Sequence, residues 1–329
     1  MSTSNKGTSL VLRACLPGGY SYQGFKWPLV IGAKVAAPDW VEDNNCGRGL
    51  HGWLEGQGEI GVSEYSLEPN AVWLVLRVNT ASIIDLGGKC KFPRATVVFV
   101  GELPAAAEYI HEQTGKPVIG QELSVGANQV AVVGALGKVT AHNWSTAIAG
   151  DNGIAKAQTG GCSLTGMHGT SVTGIEGISI TEERGAATTG GNGIAITRYA
   201  GSASGGLDSI VVAGNRGFAT SESRGLAVVG EHGKASVGAQ GTAVGGFSSV
   251  AIAGLEGIAV AGPYGTAKAG DGGLAIAKHT GAAAAGEHGC IIIKSATRAN
   301  SFVVGFIGQN GLLPNTTYML NAYDEFVAP

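Results

Sequence analysis

Residues 254–277 read GLEGIAVAGPYGTAKAGDGGLAIA, and this stretch decides the fold of most of the chain. It contains three copies of an eight-residue unit, each with glycine at its first and fourth positions. Outward from here the same frame runs without an insertion through residues 126–293, which is 21 octads. A short, fixed period repeated this often is the signature of a solenoid.

The chemistry of one octad predicts its shape. The two glycines bracket a tight turn, where either a positive φ or a missing side chain is required. The next four residues alternate in character and predict a short strand. Lysines occupy the fifth or seventh position in several octads: Lys138, Lys156, Lys234 and Lys268. Because an inward lysine would be a buried, unpaired charge, the small residues at the sixth and eighth positions must fill the interior.

Alternate octads differ on their outward positions, which predicts two octads, or 16 residues, per coil. One outer face is apolar along its length, whereas the other is polar or small, with Val250 and Ile252 as the clearest exception. An apolar stripe of roughly 500 Å² is the size at which an exposed patch indicates an interface. We therefore expect a homodimer or higher closed oligomer, or alternatively an N-terminal domain folded back over the stripe. The stripe's main members are Ile178, Ile180, Ile194, Ile196, Ile210, Val212, Leu226, Val228, Ile258, Val260, Leu274 and Ile276.

The repeats resemble the head of YadA-type trimeric adhesins. The resemblance rests on segments such as SSVAIAGLEGIAVAG (residues 248–262) and covers residues 126–293. It implies a left-handed parallel β-roll. We do not expect surface adhesion to accompany the fold, because no coiled-coil stalk or membrane anchor is apparent in the sequence.

Composition changes along the chain and predicts three regions. Four of the five tryptophans precede residue 74, whereas the glycines concentrate in the middle. We predict an α+β head domain over residues 1–120, a parallel β-solenoid over 121–297 and a short C-terminal cap over 298–329. Within the head, strands are predicted at residues 9–15, 71–78, 81–86 and 95–100, and a helix at 104–114 that Gly115 ends.

The head domain holds the segment with the most suggestive chemistry, Cys46-Gly-Arg-Gly-Leu-His-Gly52. Its glycines predict a tight loop that positions His51. With Arg13 on an early strand, the segment resembles ADP-ribosyltransferase domains. That resemblance implies NAD as cofactor, Arg13, His51 and a downstream acid as catalytic candidates, and a clamp formed by the glycines. The candidate acids are Glu55, Glu59 and Glu64, and the candidate NAD-binding glycines are Gly47 and Gly49.

A second resemblance covers more of the flanking sequence. The C-G-x-G-L-H motif, the DLGGKCKFP segment (residues 85–93) and the tail at residues 311–327 are similar to a group of uncharacterised bacterial and phage proteins. This resemblance implies no mechanism. We expect the tail to cap the last coil, because an open solenoid edge invites aggregation.

Several classes of function are disfavoured. A formal charge of −3 gives no basic surface for nucleic acid. Five scattered cysteines and a polar N-terminus without an apolar signal predict reduced thiols and a cytoplasmic protein, and no apolar run spans a membrane. His168, His232 and His288 share the third octad position but lie too far apart for a metal site, so we expect exposed turns.

Two further ligands are weighed against the octad pattern. The period of eight lacks the aspartate of calcium-binding nonapeptide rolls, which disfavours calcium. Ice binding is a minor alternative, because lysine and serine interrupt the outward threonines Thr140, Thr170, Thr188, Thr220 and Thr266.

The sequence favours a non-enzymatic structural or binding protein without a cofactor. In this reading the solenoid is a scaffold for oligomers and the head is a recognition domain for a protein or small ligand. The alternative is an NAD-using, ADP-ribosyltransferase-like enzyme with the solenoid as a passive support. Convergence of Arg13, His51 and a glutamate on one cleft would favour the enzyme.

Overall fold

A computed structural model describes residues 7–59, 65, 68–298 and 301–329 of the chain. Its contacts divide the chain into two compact units. The head unit comprises residues 1–124 with 131–139 and 149–154, and the solenoid unit comprises 125–130, 140–148 and 155–329. The candidate acid Glu64 lies outside the described residues.

The head unit is built on an antiparallel sheet with one α-helix. Among the described residues, seven strands form this sheet in the order β2-β7-β4-β1-β3-β6-β5. Single 3₁₀ turns lie at Pro17–Gly19, Tyr22–Gly24 and Thr80–Ser82. The elements are β1 (Thr8–Cys15), β2 (Lys34–Ala36), β3 (Leu50–Leu54), β4 (Val72–Asn79), β5 (Ile84–Asp85), β6 (Cys90–Phe92), β7 (Arg94–Gly101) and α1 (Leu103–Thr114).

Both faces of this sheet carry buried side chains, which explains the nearly continuous apolar character of β1 and β4. On one face, Leu12 and Val75 pack with Ile110 of α1. On the other, Val11 and Leu74 belong to a second cluster. Alternate residues of one strand point to opposite faces, so a strand covered on both sides has few positions for polar residues.

Most of the predicted head elements are confirmed, and two predictions are wrong. The helix ends as expected, with Gly115 at φ 69° and its N–H donating to the carbonyl of His111 over 2.7 Å. The strand predicted at residues 81–86 is mostly a 3₁₀ turn, in which the Asn79 side chain accepts the N–H of Ala81. His51 lies on strand β3, and only residues 46–49 of its segment form the predicted loop.

The solenoid consists of parallel strands of three to five residues. Their bounds are β8 (Glu122–Val125), β9 (Val130–Val132), β10 (Lys138–Ala141), β11 (Thr146–Ala149), β12 (Ile154–Ala157), β13 (Cys162–Thr165), β14 (Thr170–Thr173), β15 (Ile178–Thr181), β16 (Ala186–Thr189), β17 (Ile194–Thr197), β18 (Ser202–Gly205), β19 (Ile210–Ala213), β20 (Phe218–Ser221), β21 (Leu226–Val229), β22 (Lys234–Val237), β23 (Thr242–Gly245), β24 (Val250–Ala253), β25 (Ile258–Ala261), β26 (Thr266–Ala269), β27 (Leu274–Ala277), β28 (Ala282–Ala284) and β29 (Cys290–Lys294).

The strand register confirms a coil of 16 residues. Ile178 pairs with Ile194, which pairs with Ile210, and the even-numbered strands show the same offset. Within the described residues, the even-numbered strands from β8 to β28 form one sheet and the odd-numbered strands from β9 form the other, giving about 11 turns. Two octads per coil place alternate octads in opposite sheets, as the outward pattern predicted.

The interior is thin and filled by small side chains, as predicted. The sixth-position residues Ala219, Ala227 and Ala235 are completely buried, whereas the fifth-position Lys234 is exposed. Where serine replaces alanine, the hydroxyls bond to one another: Ser163 Oγ and Ser171 Oγ are 2.6 Å apart. These serine hydroxyls are therefore paired without any increase in the width of the coil. At the eighth position, by contrast, the buried hydroxyls of Thr165, Thr181 and Thr197 have no hydrogen-bond partner.

The structure separates the two possible roles of the octad glycines. The third residue of every octad, mostly not glycine, adopts φ between +50° and +65°. Its N–H donates to a carbonyl of the next coil, as from His232 to Phe247 over 2.9 Å, which holds this left-handed conformation. At the fourth position, glycine instead provides space: a Cβ on Gly233 would lie 2.8 Å from the carbonyl oxygen of Gly217. The first position tolerates side chains, since six octads carry His142, Gln158, Glu182, Arg198, Glu222 or Lys278 there.

Fourth-position glycines also leave room for the residue four positions earlier. A Cβ on Gly217 would lie 2.7 Å from the Cβ of Ala213, so the site holds one side chain and not two. Two octads use the reverse arrangement: Gly205 precedes Ser209, and Gly245 precedes Ser249. From residue 149 onwards, the two positions are therefore packed as a complementary pair. The first octads differ, because Ala141 and Ser145 both carry side chains.

The described part of the C-terminal segment closes the last coil. Strand β30 (Phe302–Phe306) pairs antiparallel with β29, and a hairpin of β31 (Met319–Leu320) and β32 (Phe326–Val327) follows. Asp324 accepts hydrogen bonds from the side chains of Ser295, Thr297 and Arg298, which keep its pKa below the ordinary value. The predicted cap is confirmed: parallel stacking ends where an antiparallel strand covers the open edge.

Candidate functional site

The head unit contains a cavity of about 780 Å³, within the usual range for small-molecule sites. Strand β1 supplies Arg13, and β3, paired antiparallel beside it, supplies His51. The remaining wall comes from residues 21–27 and from the loop before β3. The lining residues are Arg13, Ser21, Tyr22, Gln23, Gly24, Phe25, Trp27, Pro38, Asp39, Cys46, Gly47, Arg48, Gly49, Leu50, His51, Gly52, Trp53, Tyr65 and Lys89.

Arg13 lies against an aromatic ring with most of its donors unused. Its guanidinium carbon is 5.2 Å from the ring centroid of Trp27, and Nη1 donates to the carbonyl of His51 over 3.2 Å. Nε is completely buried without a hydrogen-bond partner. No carboxylate of the described residues forms an ion pair with it. Burial therefore lowers the pKa of Arg13, because the charged form has lost water without gaining an anion.

His51 is held as a neutral imidazole beside this guanidinium. Burial first, and then the charges of Lys89 and Arg13, lower the pKa of His51 to about 4. A hydrogen bond with the backbone of Gly49 opposes this shift. Its Nε2 is buried and has no hydrogen-bond partner. At neutral pH this nitrogen can donate or accept one hydrogen bond, depending on the tautomer.

The loop before β3 is fixed by contacts that the sequence did not reveal. Asp39 accepts the N–H of Gly49 over 3.1 Å, and Gly49 has φ +141°, a conformation that favours glycine. The fully buried Lys91 ammonium forms an ion pair with Asp43 and donates to the carbonyl of Asn45 over 2.9 Å. This pairing lowers the pKa of Asp43 to about 2. Through Lys91, the loop is thus anchored to strand β6.

The structure brings four of the predicted site residues together and leaves two elsewhere. Arg13, His51 and the candidate glycines Gly47 and Gly49 all line the cavity. The glutamates do not: Glu55 forms an ion pair with Lys116, and the Glu59 carbonyl accepts the Trp53 indole N–H over 3.0 Å. Neither of the two described candidate glutamates lines the cavity with Arg13. The NAD-using alternative stays a prediction.

Sequence reasoning missed the aromatic wall. Phe25 and Trp27 meet edge to face with centroids 5.5 Å apart, and the Trp27 N–H donates to Ser21 Oγ over 3.0 Å. Tyr22 is 72% exposed at the cavity mouth. The signal was available in the sequence YSYQGFKW (residues 20–27), whose aromatic residues recur within eight positions.

The second candidate site is the outer surface of the odd-numbered sheet, which we call the apolar face. It is defined by the predicted stripe residues on β15, β17, β19, β21, β25 and β27. Ile178, Ile210 and Ile258 are 39%, 43% and 40% exposed, and the remaining members are partly exposed. Together with Thr242 and Val244 of the intervening β23, they stack in register as one row from residue 178 to residue 276 within the solenoid unit.

The opposite surface, which we call the polar face, is formed by the even-numbered strands. Its hydroxyls contact one another in places, as Thr188 Oγ1 and Ser204 Oγ do over 3.1 Å. Lys156, Lys234 and Lys268 interrupt these rows. The predicted threonine ladder is therefore discontinuous.

The solenoid turns place the histidines as expected and add an aromatic row that the sequence reasoning missed. His168, His232 and His288 are exposed residues of the turns. The ring of His232 also contacts Phe247 at 5.8 Å, Phe247 contacts Tyr264 at 5.3 Å, and Tyr264 contacts His279 at 6.3 Å. These contacts arise because residues 15 to 17 apart meet across neighbouring coils.

The described part of the chain holds no group of three or more histidine, cysteine, aspartate or glutamate side chains placed to bind a metal ion. None of its helices combines the length and apolar character needed to cross a bilayer.

Comparison with known proteins adds one consistent similarity. The chain is 34% identical over 122 residues to an ice nucleation protein of Xanthomonas campestris pv. translucens, which is 36% of this chain and 7% of that protein. For an ice nucleation protein of Pseudomonas syringae pv. syringae, the identity is 34% over 115 residues, or 34% of this chain and 9% of that protein. For ice nucleation protein InaU of Pantoea ananas, the identity is 30% over 144 residues, which is 43% of this chain and 13% of that protein.

These matches cover parts of both partners. The chain spans 7% to 13% of the length of these three relatives. No protein-family model and no solved structure matches it. The chain is a repeat β-solenoid protein that is similar, over about a third of its length, to ice nucleation proteins.

Proposed function

We propose that the protein is a non-enzymatic scaffold whose solenoids assemble through the apolar face and thereby present several head units. The observation that carries this proposal is the contrast between the two outer faces of one solenoid. The apolar face stacks isoleucine, valine and leucine in register and leaves them partly exposed. The polar face carries lysine, a hydroxyl or alanine at most of the equivalent positions, with Ile154, Val172, Phe218, Val250 and Ile252 as its apolar exceptions.

The size and symmetry of the apolar face suit a second copy of this chain. A patch of roughly 500 Å² on each copy buries about 1,000 Å² in total, near the lower bound for a specific interface. A flat, self-similar row can pair with itself about a two-fold axis, because every coil offers the same side chains. Burial of the patch removes apolar surface from water, at about 25 cal/mol per Å² before the costs of association.

The test is the molar mass of the purified chain, measured by size-exclusion chromatography with light scattering. We expect the wild type to be an oligomer and the double variant Ile194→Lys/Ile210→Lys to be a monomer. The matched control is Ala186→Lys/Ser202→Lys, which adds the same charges on neighbouring strands of the polar face. A monomeric wild type, or equal loss of mass in the control, would overturn the proposal.

A second candidate function follows from the comparisons. Seven ice nucleation proteins match part of this chain, so contact with ordered water is a specific alternative. A flat parallel sheet presents side chains at the spacing of its strands, about 4.8 Å, which is the kind of rigid array such contact needs. The discontinuous hydroxyl rows of the polar face argue against it.

Droplet-freezing temperatures distinguish the two functions. Under the scaffold proposal, water droplets that contain the wild-type chain freeze at the temperature of buffer droplets. A higher freezing temperature that Thr188→Lys abolishes would assign the polar face to ice and replace the scaffold proposal.

A further inference from the structure

We infer that the head-unit cavity binds a small organic anion, with its carboxylate or phosphate on Arg13 and its flat body against the aromatic side chains of Phe25 and Tyr22. This inference is independent of the scaffold proposal, because it concerns the head unit alone. It rests on four features of the cavity: a guanidinium without a carboxylate partner, an excess of positive charge in the lining, an aromatic surface, and an unpartnered histidine nitrogen.

The first feature is the unused capacity of Arg13. A guanidinium offers five N–H donors in a planar fork that matches carboxylate and phosphate oxygens. Among the described residues, the guanidinium donates to the carbonyl of His51 and bonds the Cys15 thiol, but its buried Nε has no acceptor and no carboxylate pairs with it. Leaving such donors without acceptors costs stability, so a folded protein that keeps them is explained by a partner from outside the chain.

The second feature is the charge around the cavity. Arg48 and Lys89 line it together with Arg13, whereas the lining residue Asp39 already accepts the N–H of Gly49. The lining therefore has an excess of positive charge near a partly buried guanidinium. An anion that enters would restore the favourable interaction that burial has removed from Arg13.

The third feature sets the shape of the rest of the ligand. Trp27 is buried beneath Arg13 and meets Phe25 edge to face, so the half-buried Phe25 ring is held in place before any ligand arrives. Tyr22 stands exposed at the mouth. Aromatic surfaces of this kind favour a planar, apolar group, and a pre-formed wall lowers the entropic cost of binding.

The neutral His51 completes the recognition. Its unpartnered Nε2 lies in the same cavity and can bond a hydroxyl or a second oxygen of the ligand. We assign it a positioning role, because no reacting group is visible beside it.

The experiment measures binding of three probes that share one ring: phenyl phosphate, benzoate and the neutral benzyl alcohol. Isothermal titration with the full chain is expected to show saturable binding of at least one anion and at least tenfold weaker binding of benzyl alcohol. The anionic probe that binds with higher affinity shows whether the cavity prefers a phosphate or a carboxylate. Inorganic phosphate alone is expected to bind more weakly than phenyl phosphate, because it leaves the aromatic wall empty.

Variants assign the binding to Arg13. Arg13→Met keeps the bulk of the side chain and removes the charge. It is expected to lower the affinity for the anionic probe at least tenfold. Arg94→Met is the matched control, because Arg94 is exposed on β7 of the same unit and does not line the cavity. Equal affinity in the wild type and Arg13→Met, or no binding of any probe to the folded wild type, would overturn the inference.

A measurement on the wild-type chain tests the inference even if Arg13→Met does not fold. Cys46 lines the cavity and is exposed, whereas Cys162 lies on β13 of the solenoid. The anionic probe is expected to slow alkylation of Cys46, read by mass spectrometry, and to leave Cys162 unchanged. Equal rates at Cys46 with and without saturating probe would contradict binding in this cavity.

Discussion

The head unit and the solenoid unit are stabilised in opposite ways. The head is held by a few large side chains, such as the stacked Trp53 and Trp73, whose ring centroids are 5.8 Å apart. The solenoid is held by many small ones, with a row of buried alanines between its two sheets. The head should therefore be most sensitive to removal of atoms, and the solenoid to their addition. The first three predictions test this contrast.

The largest effect is expected inside the solenoid. Ala227→Lys places a charge at a completely buried sixth position, and it should cost more than about 3 kcal/mol and unfold the coils around β21. The control Thr220→Lys, at an exposed outward position of β20 on the polar face, should cost within about 1 kcal/mol. Hydrogen exchange of peptides from residues 202–253 measures both. Similar exchange in the two variants would break the assignment of inward and outward positions.

The next effect is expected in the head. Trp53→Ala removes a side chain that is 2% exposed and stacks on Trp73, and it should destabilise the head unit by about 3–5 kcal/mol. Hydrogen exchange should rise across the strands β1, β3 and β4. Peptides beyond residue 202 serve as the internal control and should exchange as in the wild type, because coils interact mainly with their neighbours.

A smaller effect tests the paired packing of glycine and small residues. Gly217→Ser should cost about 1–3 kcal/mol, because the added Cβ lies 2.7 Å from that of Ala213. Combining it with Ala213→Gly recreates the arrangement of Gly205 and Ser209 and should recover most of the loss. Urea denaturation of both single variants and the double variant measures the coupling energy. Additive costs would show that the two positions are not complementary.

The smallest expected effect is the local loss of the Asp43–Lys91 ion pair at low pH. Lys91 holds the pKa of Asp43 at about 2, below the ordinary value of 3.8. A lowered carboxyl pKa stabilises the folded loop above about pH 4, and this contribution is lost as the pH falls towards 2. The Trp40 indole resonance, next to the Lys91 ammonium, should report this titration in NMR spectra. Asp43→Asn should abolish the inflection, and an inflection near pH 4 in the wild type would contradict the ion pair.

The head shows where prediction from the sequence succeeded and where it failed. Long apolar strands such as β1 and the helix α1 carry their own signals, so both were predicted. Short elements such as β2 and β6 were not, because three residues have no readable periodicity and are fixed by pairing with β7 and β3. The convergence of Arg13 and His51 depends on that same pairing of distant strands.

The sequence by itself determined the solenoid, its 16-residue coil and the difference between its outer faces. The same eight-residue pattern recurs in 21 octads, so the prediction of the fold does not depend on any single octad that departs from it. Only the tertiary structure decided which glycines need space, why the third residue of each octad is left-handed, and which polar groups in the head lack partners. These features depend on the neighbouring coil or on a strand that is distant in the chain, and no local pattern encodes such contacts.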